Sequence, residues 1–242
     1  KKLKKIEDIG GKSILLVTEQ GLGDTLQFIR YINALKKEGA NITLCAPRKL
    51  HGIIKNSRIN TKIIDLEEGN RVCEGYWIPL MSLPYLLKIN PSQTTHDNPY
   101  LLVNSELRNK WSKLLSSEKK PIIGINWQGN QEAELSNQKG RSIPLEVFSI
   151  IANKLDIKLL SLQKGFGSEQ LKNCTFKDKF VSCQDLIDKT MEFSDMAALI
   201  SNCDLIISSD TVVAHLAGSI GKDIWLLLKK IPDWRWGLVG SK

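Results

Sequence analysis

Nothing in this 242-residue sequence is long and apolar enough to cross a bilayer. Its most apolar run, Ile224 to Leu228, is far shorter than a membrane-spanning helix needs. The basic start, Lys1 to Ser13, leads into no apolar signal core. Cysteines number five (Cys45, Cys73, Cys174, Cys183, Cys203), an odd count with no C-x-x-C pair, which suits a reduced interior better than a disulfide framework. A soluble, cytoplasmic protein is therefore expected. The three histidines, His51, His96 and His215, are scattered, so no zinc site is legible. There is no Asp-x-Asp pair to demand a divalent ion, no Gly-x-Ser-x-Gly elbow to frame a nucleophile, and no repeat of solenoid period.

What is present is ordinary globular material, 42% hydrophobic and 25% charged, which excludes disorder and low complexity. Lys and Arg total 34 against 26 Asp and Glu, a net charge of +8 that favours an anionic ligand without selecting one. The lysines are spread (Lys1 to Lys5, Lys119-Lys120, Lys229-Lys230) and no nucleic-acid recognition motif accompanies them, so a solvated basic surface is preferred to specific nucleic-acid binding.

Short apolar runs alternate with helical patterns. Strands are expected at Ser13 to Thr18, Asn41 to Ala46, Lys62 to Asp65, Pro121 to Trp127, Ile157 to Leu162, Leu205 to Ser208 and Asp223 to Leu228. Leu26, Ile29, Ile32 and Leu35 mark one apolar face of a helix from Asp24 to Glu38, closed by Gly39. Further helices are expected at Lys49 to Lys55, Glu106 to Leu115, Met196 to Asn202 and Val212 to Ile220, and Pro144 opens another. Tyr76 to Leu87 holds a strand end and a short helix. Asn90 to Pro99, and Gln128 to Gly140, read as polar loops, the second as a mobile one. Strand–helix alternation predicts an α/β fold with parallel sheets. Two such runs predict two Rossmann-like lobes, 1–104 and 121–242, joined by a linker at 105–120.

Ligands of open parallel sheets bind beyond the carboxyl ends of the strands. Four polar clusters fall there: Gly21-Leu-Gly-Asp24; Trp127-Gln-Gly129 with Arg141-Ser142; Gln163-Lys-Gly165 with Glu169; and Ser209-Asp-Thr211 with His215. The first is no dinucleotide fingerprint, because Leu26 stands where the third glycine belongs, and Gly10-Gly-Lys-Ser13 is no phosphate loop, because it precedes its strand. Asp24 reads either as a helix N-cap, with Gln27 at capping-box spacing, or as a general base behind a glycine turn. Asp210 and Thr211 at a helix start make an anion site, with His215 one turn on and on the same face as Thr211; the plainer reading is a cap and a core histidine. Arg141 is placed to clamp a diphosphate or is a solvated loop cation. Glu169 suits a ribose or sugar hydroxyl, or is an exposed helix glutamate. Trp127, Trp234 and Trp236 suit stacking, though buried tryptophan is commonly core.

Taken together, Glu19-Gln-Gly-Leu-Gly-Asp-Thr-Leu-Gln-Phe-Ile-Arg-Tyr31, Ile122-Ile-Gly-Ile-Asn-Trp-Gln-Gly129, Arg141-Ser-Ile-Pro-Leu145, Ser161-Leu-Gln163, Asp210-Thr-Val-Val-Ala-His-Leu-Ala-Gly218 and Pro232-Asp-Trp-Arg-Trp236 resemble one family. It is the glycosyltransferase domain that often follows tetratricopeptide repeats in bacterial proteins, similar to the lipopolysaccharide heptosyltransferases that use ADP-heptose. The resemblance implies a GT-B fold with a cleft between two Rossmann-like lobes. The N-terminal lobe would take the acceptor (a glycan, a lipid-linked sugar or a protein) and the C-terminal lobe a nucleotide sugar. It implies Asp24 as the base, Arg141 at the diphosphate, Glu169 near the ribose, and Asp210, Thr211 and His215 in the sugar-nucleotide motif. Gly23, Trp127, Gly129, Ser142 and Gln163 join the expected donor site. The expected activity is an inverting, metal-independent glycosyl transfer without a cofactor. A weakly active or inactive nucleotide-sugar-binding module and a sugar-nucleotide epimerase are the alternatives. No tetratricopeptide repeats occur in this chain, though the resemblance places them upstream in a longer parent. The family also continues beyond the segment matching Trp236 into a closing helical segment.

Overall fold

The computed structural model describes all residues except 4–5, 7–8, 73, 90–98, 136–139 and 237–242. Strands β1 (Ser13–Val17), β2 (Asn41–Cys45), β3 (Lys62–Ile64) and β4 (Tyr76–Pro79) form one sheet in the order β3-β2-β1-β4. Strands β5 (Ile122–Asn126), β6 (Lys158–Ser161), β7 (Leu205–Ser209) and β8 (Ile224–Leu227) form a second, in the order β6-β5-β7-β8. All six pairings are parallel. The strands lie within one or two residues of their expected bounds, because continuous apolar runs such as Ile122–Asn126 suit a sheet covered on both faces.

Five helices position the site: α1 (Leu22–Phe28), α2 (Ser105–Leu115), α3 (Gln131–Leu135), α4 (Phe193–Asn202) and α5 (Val212–Ser219). The single helix expected over Asp24 to Glu38 is broken. After α1 comes a 3-10 turn at Ile29–Tyr31, then a second α-segment at Ile32–Lys37. Within that turn the Arg30 Nε donates to the Gln27 carbonyl at 2.7 Å. The apolar face survives the break, and Leu26, Ile29, Ile32 and Leu35 are each 0% exposed. The polar stretch from Gln128 also departs from the expected loop. Asn130 Oδ1 accepts the Glu132 amide at 2.8 Å and starts α3, with acidic residues in its first turn. Of that loop, 136–139 lie outside the described residues, as does nearly all of the loop expected at Asn90 to Pro99.

Helix α2 occupies the expected linker. Asn104 Oδ1 caps it by accepting the Leu107 amide at 3.0 Å, and its Trp111 Nε1 donates to Asp195 Oδ1 of α4 at 2.8 Å. One apolar cluster runs through both sheets, from Leu16, Leu26 and Ile29 to Ile200, Val213 and Leu216. A second cluster, with Ile125, Trp127 and Phe148, sits on the far face of the second sheet. Helix α1 of the first lobe packs directly on α5 of the second. The Tyr100 hydroxyl donates to the Leu26 carbonyl at 3.0 Å while its amide donates to Ser219 at 3.1 Å, tying the same seam.

Candidate active site

Loops at the C-terminal ends of β1, β5, β6 and β7 enclose a cleft of about 990 Å³. In the second sheet β5 and β7 are where the strand order reverses, the place at which a parallel sheet opens a crevice. One wall is Gly21–Asp24 with Lys49; the other includes Gly129, Arg141 and Asp210–Val213.

Asp24 does not cap α1 as its first residue. Gly21 holds that position, and Asp24 stands at the third helical residue, where its Oδ2 accepts the Gly21 amide at 3.1 Å. Its Oδ1 pairs with Arg235 Nη1. The Asp24 side chain is 14% exposed and that of Arg235 10%. Burial raises the Asp24 carboxyl above its usual range, against the opposing pull of Arg235 and of the Gly21 amide.

Gly23 is explained by packing. A Cβ there would stand 2.5 Å from His215 Cδ2, so only glycine lets α1 approach α5 this closely. His215 stacks on Trp236 with ring centroids 4.7 Å apart. Burial, then the cations Arg235 and Arg30, push its imidazole down to about 3, so it is neutral at physiological pH.

Thr211, not Asp210, caps α5. Its hydroxyl accepts the Val213 amide at 3.3 Å and donates to Asn126 Oδ1 at 2.7 Å. With its one proton given to Asn126, the hydroxyl donates to no ligand in this arrangement. Asp210 contributes its main-chain carbonyl, which accepts from Arg141 Nη1 at 3.2 Å.

Arg141 lies on the cleft wall, 13% exposed, and pairs with Glu134 of α3 at 3.2 Å. The same Glu134 oxygen accepts from the Ser142 hydroxyl at 2.7 Å, and Ser142 Oγ accepts the Gly129 amide at 3.1 Å. A Cβ on Gly129 would meet the Arg141 guanidinium at 2.6 Å, so that glycine makes room for the cation.

Three expected site residues are engaged by other parts of the protein. Trp127 is 0% exposed, belongs to the second core cluster and donates its Nε1 to the Gly167 carbonyl at 3.2 Å, which leaves no ring face for a base. Glu169 lies outside this cleft on an adjoining cavity of about 700 Å³, where it accepts the Gly167 amide at 2.8 Å. Gln163 borders the cleft but its amide is spent on protein. Its oxygen accepts from Asn126 Nδ2 at 2.8 Å and from the amides of Trp127 (3.3 Å) and Gln128 (3.0 Å). Its nitrogen donates to the carbonyls of Gln128 (3.0 Å) and Phe166 (2.8 Å). Gln163→Leu should therefore cost about 3 kcal/mol, because it leaves buried amides unpaired. Urea unfolding checks this, and a loss below about 1 kcal/mol would contradict the scaffolding role.

Residue-by-residue reading missed Asn126, Glu134 and Arg235 as site residues. Asn126 had a signal, a polar side chain ending an otherwise apolar buried strand. Glu134 had none, in a polar loop. Arg235 sits in the tryptophan-flanked segment already singled out. Among the described residues no group of three His, Cys, Asp or Glu is placed to hold a metal ion, and no helix is long and apolar enough to cross a membrane. Cys45, Cys174, Cys183 and Cys203 are free.

No known family profile matches the chain. Protein FlbA of Caulobacter vibrioides is 22% identical over 247 residues, covering 91% of this chain but only 40% of FlbA, so the chain spans well under half that relative. The crystal structure of a family 9 glycosyl transferase from Veillonella parvula matches with a TM-score of 0.66 at 15% identity, over 91% of this chain and 81% of that one. ADP-heptose lipopolysaccharide heptosyltransferase II of E. coli matches with a TM-score of 0.60 at 14% identity, over 88% of this chain and 84% of that one. In its paired parallel sheets, set about a cleft, this protein has the two-lobed GT-B fold of those glycosyltransferases.

Proposed function

We propose that this protein is a glycosyltransferase that moves a sugar from a nucleoside-diphosphate donor to an acceptor hydroxyl, with inversion and without a metal ion or other cofactor. The observation that carries the reading is one cleft with a buried carboxylate, Asp24, on one lobe and the N-terminus of α5 on the other. Asp24 takes the proton of the acceptor hydroxyl. The acceptor oxygen bonds to the anomeric carbon as that carbon's bond to the diphosphate oxygen breaks, and the electron pair leaves on the diphosphate. Charge growing there meets the Val212 amide, the positive helix end and Arg141. In this reading residues 1–104 bind the acceptor and 121–242 the donor, and the reaction runs in the cytoplasm. ADP-heptose is the first donor to try, because a matching structure is named for it.

The test is a thermal-shift series with ADP, UDP and GDP, followed by nucleoside-diphosphate release from the matching sugar donor in the presence of acceptors. Ligand at a hundred times its Kd should stabilise the protein by about 2.7 kcal/mol. No shift with any of the three would overturn the reading. Binding without turnover would favour a nucleotide-sugar-binding module, which the internal pairing of Arg141 with Glu134 also suits. Turnover with no acceptor present would favour an epimerase.

Gly129→Ala tests the donor side. The new methyl displaces the flexible end of Arg141 rather than backbone. Donor affinity should fall about tenfold, roughly one charge-assisted hydrogen bond, with little change in melting temperature. Calorimetry that finds affinity unchanged would remove Arg141 from the donor site.

A further inference from the structure

The segment Pro232–Trp236 follows β8, and its last three residues each touch a different part of the cleft region. Trp234 sets its ring edge against Phe28 of α1, with centroids 6.5 Å apart. Arg235 pairs with Asp24 of α1, and Trp236 stacks on His215 of α5. The segment thus straps one lobe to the other across the carboxylate.

We propose that Arg235 is a positioning residue for Asp24: the strap holds the guanidinium against the carboxylate and fixes its orientation toward the acceptor. This role rests on the reading of Asp24 as the base. Arg235 is itself held, since Asp233 Oδ2 accepts from Nη2 at 2.9 Å and Asp233 Oδ1 accepts the Arg235 amide at 3.0 Å. Its Nε is buried and meets no acceptor among the described residues. The fork is therefore aimed by protein contacts rather than by solvent. At 10% and 14% exposure the pair escapes the screening that makes surface ion pairs weak.

The carboxylate keeps room for a substrate. One oxygen takes the Gly21 amide and the other takes Arg235, two of about four acceptor positions. The charges around it act in known directions. Burial opposes the ionised form most strongly, Arg235 and the Gly21 amide favour it, and Asp233 opposes it. His215 is neutral, and Arg30 faces His215 from the first lobe. Removing Arg235 leaves burial and Asp233 opposed only by the Gly21 amide.

The experiment titrates the Asp24 carboxyl by carbon NMR in protein labelled at aspartate, assigned with Asp24→Asn, and compares the parent with Arg235→Gln and Arg235→Lys. It also follows the pH profile of kcat/KM for sugar transfer. In Arg235→Gln the Asp24 midpoint should rise by a unit or more, the acid limb of the profile should move with it, and kcat at neutral pH should fall at least tenfold. Arg235→Lys keeps the charge but not the fork, so it should restore the midpoint and only part of kcat. An unmoved midpoint in Arg235→Gln overturns the proposal, as does faster transfer, which would make the contact a lock. Normal transfer by Asp24→Asn would remove the base reading, and this role with it, while leaving the measured pairing intact.

Discussion

Asp24→Asn is expected to bind donor like the parent and to transfer sugar 10²–10⁴-fold more slowly, the range that a positioned general base contributes. That corresponds to about 3–5 kcal/mol on the barrier. The substitution is close to isosteric. Its amide oxygen can still accept the Gly21 amide that now bonds to Oδ2, so the start of α1 is preserved. Arg235 keeps its bond to Asp233. What disappears is a site that can take a proton. The proposed donor contacts lie on the other lobe, at Arg141 and the start of α5, so nucleotide affinity should stay within about threefold. Calorimetry with the nucleotide and single-turnover transfer separate the two effects. In the parent the rate should decline on the acid side, because burial raises the carboxyl and protonation there removes the base. A variant as fast as the parent would take Asp24 out of the chemistry.

The second large effect concerns stability. His215 is held neutral in the native protein, with its imidazole pushed down to about 3 against an ordinary value of 6.5. Between those two values the unfolded chain binds a proton there and the native protein does not. Stability therefore rises with pH across that window and is lost as pH falls through it. Full separation is worth about 1.4 kcal/mol per pH unit and the unfolded histidine is half protonated at pH 6.5, so about 2 kcal/mol should be lost from this residue between pH 6.5 and 4.5. His215→Gln cannot titrate. It gives up the stack on Trp236 and begins from lower stability at pH 7.5, but the His215 part of its acid slope should vanish. Asp24 acts in the opposite direction, since a raised carboxyl favours the native state as pH falls, and it does so in both proteins. Urea unfolding at pH 7.5, 6.5, 5.5 and 4.5 therefore isolates His215 as the difference in slope. Parallel slopes would mean that the ring takes a proton freely in the native state.

Much of the fold was readable residue by residue. The apolar runs that became β1, β2, β5 and β7 lie near their expected bounds, because a strand buried on both faces admits little besides branched and aliphatic side chains. The break in the helix after Phe28 was not readable, since the apolar period continues through it undisturbed. Nor was α3, whose residues Gln131–Leu135 are held by an asparagine cap rather than by an apolar face.

The site was legible as four clusters at strand ends, and residues of all four line one cleft, with Glu169 outside it. Their individual chemistry was less legible. Trp127 and Gln163 carry side chains that suit a ligand as well as they suit a core, and only their neighbours decide. Trp127 meets Gly167, and Gln163 meets the end of β5 and the loops after β5 and β6. Arg235 lies 211 positions from Asp24, a separation at which local pattern carries no information.

By itself, then, the order of residues determined that this protein would build parallel sheets with polar loops at their carboxyl ends, because period and apolar content are local properties. Which of those polar groups face each other, which are consumed in holding the loops, and which carboxylate is buried beside a cation were decided only by the packing of α1 on α5 and the return of the strap at Arg235. Charge and proton affinity depend on distance and burial in space, and neither quantity exists until the two halves have come together.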